Sequence, residues 1–501
     1  MNETLASIDI GANSIRMSIG ENSEVKLKLI DNLVHPLRLG KDSFLKRYIK
    51  PENLEEAIRV LEGFKLKLKE YGVKKYRVVA TSPLRDIENQ EFFLEQIRSK
   101  TGFNVEILER SEEERLVFLG LKYKMKNFKD YVKKGVMIAK VGSGDVEISL
   151  LKSGDFFVSR SIPIGGLRLR QNLKDVPEEY FPDAVEKFVV SDFRMLTQAL
   201  PEINAEYVIG AGTLLRIIHS LAGTDKNPEI NSSDLKKLYR DLKKLSISQI
   251  SETYKLPSEY ADLILPTTYL YIKLLELTKA KSIIFEDISF TECLLLELGG
   301  FFKNKFFVKK VWKSAIRIGE KYQFDGQHGI QVSKIATKIF DGLEHIHNLG
   351  SKHKFLLKLA ALWHDIGIYI NNSAHHKHSY YLIKNIEMPG ISYDDLQLIA
   401  NIARYHRRSL PKKYHIEYMS LNDSDRIIVS KLASILRIAD ALDRSHIRSV
   451  KNICVKTENN QIFLDVNFKE DAWLEKLYFK KKKDLFLHVF GINLELIERS
   501  K

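Results

Sequence analysis

Two stretches far apart in the chain, IDIGANSIRMSI (8–19) and AKVGSGDVEISL (139–150), can be laid over one another, with Gly11 falling on Gly142 and Ser18 on Ser149. In each, an alternating apolar run enters a turn of small residues, GANS or GSGD, and leaves in a second alternating run, the pattern of a β-turn-β unit. Asp9 stands at the end of its strand, just before such a turn. Repetition of this kind points to two related lobes that face each other and offer one hairpin loop each to a shared ligand. Chance similarity of two ordinary hairpins is the competing reading.

The segments around the hairpins continue in α/β order. PENLEEAIRVLEGFKLKLKEYG has helical apolar spacing, YRVVATS reads as a strand, EFFLEQIRSKTG as a helix stopped at Gly102, VEIL as a strand and SEEERLVFLGLKY as a helix. YVIGAGTLLRIIHSLAG and SIIFEDISFTECLLLEL repeat the strand-loop-helix order. From about residue 305 strands vanish, and the chain to about 445 reads as helix after helix. The last stretch returns to strand patterns in VKNICVKT, QIFLDVNF and LFLHVFGINLELI. At 501 residues the chain is too long for one core, and ~150 residues per domain gives three or four. The divisions are two α/β domains at 1–125 and 126–304, a helical domain at 305–446 and a small α+β domain at 447–501.

The net charge of +14 selects anionic partners, among which polyphosphate, acidic lipid and nucleic acid all qualify. Basic residues are scattered, without a long basic arm or an aromatic platform, so no specific nucleic-acid partner is expected. No leader-like start or run of ~18 apolar residues is visible, which predicts a cytoplasmic protein with no membrane partner. The two cysteines, Cys293 and Cys454, suit neither a disulfide framework nor a thiolate metal site, and are expected as buried free thiols.

Turns of small residues can present several backbone N–H groups to one phosphate oxygen. GANS supplies Gly11, Asn13 and Ser14, and GSGD supplies Gly142, Ser143 and Gly144. Gly210, Gly212 and Thr213 lie between a strand and a helix, where a helix N-terminus adds positive potential. Each alone is also an ordinary turn. In the helical half, His364 falls on the apolar stripe of Leu357, Ala360 and Ala361. His328 heads the stripe of Val332, Ile335 and Ile339, and Asp440 follows Leu432, Ile435, Leu436 and Ala439. A buried carboxylate is costly unless paired or metal-bound. With Asp365, two histidines and two aspartates on inward faces of three helices compensate one another around a divalent cation.

Taken together, IDIGANSIRM, VVATSPLRDIEN, EILERSEEERLVFLGL, KVGSGDVEISL, IPIGGLRL, YVIGAGT and YADLILP resemble the Ppx/GppA family of exopolyphosphatases and guanosine pentaphosphate phosphatases. That resemblance implies two actin-like (ASKHA, RNase H-like) α/β domains with a phosphate-handling cleft. It further implies Arg85 as a phosphate ligand, Glu113 as the catalytic carboxylate that activates water, and Mg²⁺ near Asp9 and Glu147. Three positions leave the family pattern: Lys140 stands where the family has aspartate, Glu114 replaces a small residue and Thr291 an arginine. The tetrapeptide HDIG at 364–367 resembles the HD superfamily of metal-dependent phosphohydrolases, and HHKHSYYLIKN, MPGISYDD and IARYHRR resemble the HD-like domain that long Ppx/GppA members carry in this position. This second resemblance implies Mn²⁺ or Mg²⁺ held by His328, His364, Asp365 and Asp440, with His378 and His406 nearby. His375 and His376 are expected in a loop or at the surface.

Three functions follow. The first is exopolyphosphatase-type release of terminal phosphate from inorganic polyphosphate or guanosine pentaphosphate in the actin-like cleft, by a homodimer as the resemblance implies. The second moves hydrolysis of a nucleotide or alarmone to the HD domain. The third is a non-catalytic polyphosphate or alarmone sensor.

Overall fold

The computed structural model describes residues 3–23, 26–85, 87–199, 203–223, 227–302, 304–407, 409–458 and 461–498. These form two compact units, Met1–Val308 with Glu387–Gly390, and Lys309–Ile386 with Ile391–Lys501.

The first unit is built on two mixed sheets. Strands β1 (Glu3–Ile10), β2 (Ser14–Asn22), β3 (Leu27–Pro36), β4 (Lys75–Ala80) and β5 (Glu106–Ile107) lie in the order β3-β2-β1-β4-β5. The second sheet contains β6 (Val136–Val141), β7 (Val146–Lys152), β8 (Asp155–Ile162), β9 (Tyr207–Ala211), β10 (Glu229–Asn231) and β11 (Ser282–Glu286), ordered β10-β11-β9-β6-β7-β8. In both, three antiparallel strands are followed by parallel ones. Apart from the edge strand β10, the second sheet repeats the order of the first. The matching hairpins are thus the opening strands of two actin-like lobes, and their alternation arises because Ile15, Met17 and Ile19 face a core while Ser14, Arg16 and Ser18 face away from it.

Helix Pro51–Glu70 covers the first sheet with Leu54, Ala57, Leu61, Phe64 and Leu68, a three-and-four spacing that puts one stripe inward. Each such large side chain contributes roughly 1.5–3 kcal/mol by leaving water. Helix Phe290–Leu298 also packs on the first sheet, although the sequence division at 304 groups it with the second lobe. Ser7 Oγ donates to the Thr291 carbonyl (2.8 Å), and the Ser18 and Thr291 hydroxyls are 2.7 Å apart. An apolar stripe shows that a helix is covered but not which sheet covers it, so this crossing back was not visible in the pattern.

In the second unit, helices Gly326–Gly342, Ser351–Trp363, His375–Lys384, Tyr393–Arg404 and Asp423–Ala441 pack together, and Trp363 Nε1 donates to the Ala315 carbonyl (2.9 Å). A three-stranded sheet follows, β12 (Val450–Glu458), β13 (Gln461–Phe468) and β14 (Asn493–Glu498), in that order. Because β14 runs parallel to β13, the chain must cross over between them. LFLHVF, expected as strand, is consumed by that crossover as helix Asp484–Phe490, burying Leu485 and Phe486. The sheet rests on helix Gly326–Gly342, where a Cβ on Gly342 would collide with Val455, so the C-terminal segment and the helices form one compact unit. Cys293 is buried as expected. Cys454 is exposed, because it follows inward Ile453 on β12. No helix among the described residues is long and apolar enough to cross a membrane.

Candidate functional site

The two hairpin turns open onto one pocket of about 150 Å³ in the first unit. Gly11, Asn13 and Ser14 line it from the first turn, and Gly142, Ser143 and Asp145 from the second. Gly212 and Thr213, at the start of helix Thr213–Leu221, close a third side, and Asp9, Glu113 and Lys140 lie in the same wall. Gly212 has φ +113°, a conformation open to glycine.

Four expected site residues are outside this wall among the described residues. A Cβ on Gly210 would collide with Leu215, so that glycine serves close strand–helix packing. Gly144 lies under Phe44 and Ser82. Arg85 is turned onto protein groups: Nη1 donates to the Leu108 carbonyl (3.0 Å) and pairs with Glu113, while Nη2 reaches Asp145 Oδ2 (3.3 Å). Glu147 stands behind Lys140. The guanidinium that does line the pocket is Arg16, which sequence reasoning missed. Its Nη1 donates to the Thr213 hydroxyl and its Nε to Ser14 Oγ (2.9 Å), so it spans both lobes. The polar face Ser14, Arg16, Ser18 was the available signal. The lobes are further tied by Arg38, which makes two parallel bonds to Asp262 (2.6 and 2.8 Å).

Glu113, 2% exposed, is clamped from both sides. Arg85 holds Oε1, and Lys140 Nζ is 2.6 Å from Oε2 and 3.2 Å from Glu147 Oε2. Burial opposes ionisation of Glu113, but Lys140 and Arg85 outweigh it and hold the carboxyl below its usual range. Asp9 is pushed up to about 6 by burial and by the Glu113 charge. Burial likewise pushes Glu147 up to about 7. Glu114 is raised by burial and by Glu147, and its carboxylate accepts from Ser159 Oγ.

The second unit gathers another set of donors. His328 Nε2 and His364 Nε2 each lie 3.6 Å from Asp440 Oδ1. Asp365 turns one oxygen to His364 Nε2 (3.4 Å) and the other to His375 Nε2 (3.1 Å) and His406 Nε2 (3.3 Å). The Nδ1 atoms face outward: His328 to Asp443 Oδ2 (2.8 Å), and His364, His375 and His406 to the carbonyls of Ala361, Asn372 and Ala403 (2.8, 3.1 and 2.6 Å). Such outer bonds fix the tautomer that leaves Nε2 free to ligate. His328 Nε2, His364 Nε2 and Asp365 Oδ1 are buried without a hydrogen-bond partner. Lys482 caps the remaining oxygen of Asp440.

His375 is therefore buried in the cluster and opens a helix, contrary to its expected loop or surface position, while His378 lies outside the cluster. His376 is half-buried on the same helix. The cause is Gly367: a Cβ there would strike the His375 carbonyl and the Ser379 amide, so only glycine lets the helix close over the HDIG turn. Its N–H also donates to Ser379 Oγ (2.9 Å). Gly367→Ala is expected to cost about 1–3 kcal/mol, read as a lower denaturant midpoint; an unchanged midpoint would contradict this packing.

A model of the Ppx/GppA phosphatase family matches residues 18–299, more than half of the chain, and a model of Ppx/GppA phosphatase domain III matches 312–485. The chain belongs to the Ppx/GppA phosphatase family. A guanosine-5'-triphosphate,3'-diphosphate pyrophosphatase of Pseudoalteromonas translucida is 23% identical over 453 residues, 87% of this chain and 86% of that relative. Another, of Vibrio parahaemolyticus, is 22% identical over 488 residues, covering 94% and 92%. Among solved structures, an exopolyphosphatase from Cytophaga hutchinsonii shares the fold with TM-score 0.53 at 18% identity, over 60% of this chain and 99% of that one. The enzyme class read from the sequence, a phosphoanhydride hydrolase, agrees with this Ppx/GppA membership and with the relatives' names.

The Mg²⁺ expected beside Asp9 and Glu147 fits this Ppx/GppA cleft poorly. Among the described residues, the oxygens of Asp9, Glu113 and Glu147 do not converge as metal donors do, and the Lys140 ammonium stands between Glu113 and Glu147. Asp9 Oδ1 and Glu147 Oε1 are buried without hydrogen-bond partners, but Asp9 lines the pocket while Glu147 lies outside its wall, so the two oxygens do not open onto one common site. The second unit's donors do fit a metal. Separations of 3.1–3.6 Å between facing donors are what metal–ligand bonds of about 2.0–2.2 Å produce, and the imidazole-rich set suits a first-row ion such as Mn²⁺ better than Mg²⁺.

Proposed function

We propose that this chain hydrolyses the terminal phosphoanhydride of guanosine pentaphosphate in the cleft of its first unit, with inorganic polyphosphate as the other substrate of the same chemistry. The observation that carries this reading is the placing of an ionised, buried Glu113 in the wall of a pocket bounded by two small-residue turns and a helix N-terminus. The turn amides and Arg16 hold the phosphate chain. Glu113 is a weak base with its charge already compensated, so its role is to orient water for in-line attack, which a loose phosphoryl-transfer transition state needs more than proton removal. The water oxygen bonds to the terminal phosphorus, the bridging P–O bond breaks with its electrons going to the shortened nucleotide, and the water's proton leaves on the released phosphate. The relatives' names support the guanosine substrate. The test is phosphate release by the purified chain from guanosine pentaphosphate and from polyphosphate; release from neither would overturn the reading.

A second reading rests on the inward Nε2 atoms in the second unit. There the geometry supports an HD-type centre at 305–446, in which His328, His364 and Asp440 hold one ion, His375 and His406 a second, and Asp365 reaches both. A bound ion would polarise a phosphoryl oxygen or lower the pKa of a water. Lys482 would keep Asp440 directed through one oxygen.

A further inference from the structure

The two hairpins carry opposite charges at and beside the pocket in opposite order. In the first, Asp9 on β1 pairs across from Arg16 on β2; in the second, Lys140 on β6 pairs across from Glu147 on β7. Because Gly11 superposes on Gly142, Asp9 and Lys140 occupy equivalent places, and so do Arg16 and Glu147. Each lobe thus delivers one carboxylate and one cation, and the second lobe puts its cation where the first puts its acid.

We propose that Lys140 is the resident cation of the cleft, a phosphate-binding residue whose ammonium takes the place a divalent ion would fill, so that a phosphoanhydride binds without metal. This rests on the cleft being the phosphate site described above. Lys140 has three N–H donors. Two meet Glu113 Oε2 (2.6 Å) and Glu147 Oε2 (3.2 Å), and the residue lies in the pocket wall, leaving one donor for a phosphoryl oxygen. The ring of Phe290, 5.4 Å from Nζ, limits its swing. A compact ammonium is a point charge suited to phosphate, and the same ammonium separates the carboxylates that would have to converge on a metal. A purely structural counter-ion would show the same ion pairs but would leave anion affinity unchanged when removed.

The experiment is calorimetric titration with imidodiphosphate, a non-hydrolysable diphosphate, in EDTA and in Mg²⁺. It is run in an Asp365→Ala background so that the second unit's metal donors are disrupted. The parent is expected to bind with affinity equal within about twofold in the two buffers. Lys140→Met should weaken binding in EDTA by about tenfold or more, Lys140→Arg should retain most of it, and Lys140→Asp should bind only with Mg²⁺. A parent that binds only with Mg²⁺, or a Lys140→Met protein that binds as tightly as the parent in EDTA, overturns the proposal. Phosphate release reports separately on hydrolysis: Lys140-dependent binding without turnover keeps this inference and removes the hydrolytic reading.

Discussion

Asp365→Ala is expected to strip the second unit of bound divalent metal, because this one carboxylate faces both sets of imidazoles. One oxygen is 3.4 Å from His364 Nε2, and the other is 3.1 and 3.3 Å from His375 and His406. Its carboxyl is held far below the usual range, with His364 the leading cause against burial, so a charge is present to be lost. Without it, His375 and His406 oppose their Nε2 atoms at 3.2 Å with no anion between them. Metal analysis after dialysis against Mn²⁺ should show the wild type loaded and Asp365→Ala nearly empty. Thermal unfolding gives an independent check. An ion at a hundredfold over its Kd stabilises by about 2.7 kcal/mol, so Mn²⁺ should raise the wild-type Tm and leave that of Asp365→Ala unmoved. Equal metal content in the two proteins would refute the centre.

The parts of this architecture that were legible in the sequence are those fixed by local periodicity. The hairpins at GANS and GSGD, the stripe of helix Pro51–Glu70 and the stop at Gly102, which has φ +77°, follow from alternation, helical spacing and a left-handed residue. His328 and Asp440 come together from inward faces of helices Gly326–Gly342 and Asp423–Ala441, and His364 and Asp365 join them from the turn that ends helix Ser351–Trp363. Features that depend on distant parts of the chain were not legible. His375 joins the cluster only because Gly367 permits close backbone approach, and HHKHS presents several histidines among which spacing selected His378. Helix Phe290–Leu298 covers the first sheet through Thr291, a contact across most of the unit's sequence. LFLHVF alternates like a strand and becomes helix because β14 needs a crossover. Lys140 was visible as a departure, but its pairing with Glu113 was not, since that pair joins two lobes.

Glu113→Gln is expected to lower kcat for phosphate release by a factor of about 10²–10⁴, with KM changed far less, because the amide keeps the shape but loses the charge that orients water. The residue is enclosed at 2% exposure, with one oxygen on Arg85 and the other on Lys140. An amide offers only one acceptor, so one cation also loses its partner, and a modest fall in Tm should accompany the loss of turnover. The most direct test of the cleft as the seat of chemistry is therefore the initial rate of phosphate release from guanosine pentaphosphate by wild type and Glu113→Gln at matched, folded concentrations. The wild-type rate should be readily measured and the Glu113→Gln rate lower by at least about a hundredfold; equal rates would move the chemistry out of the cleft.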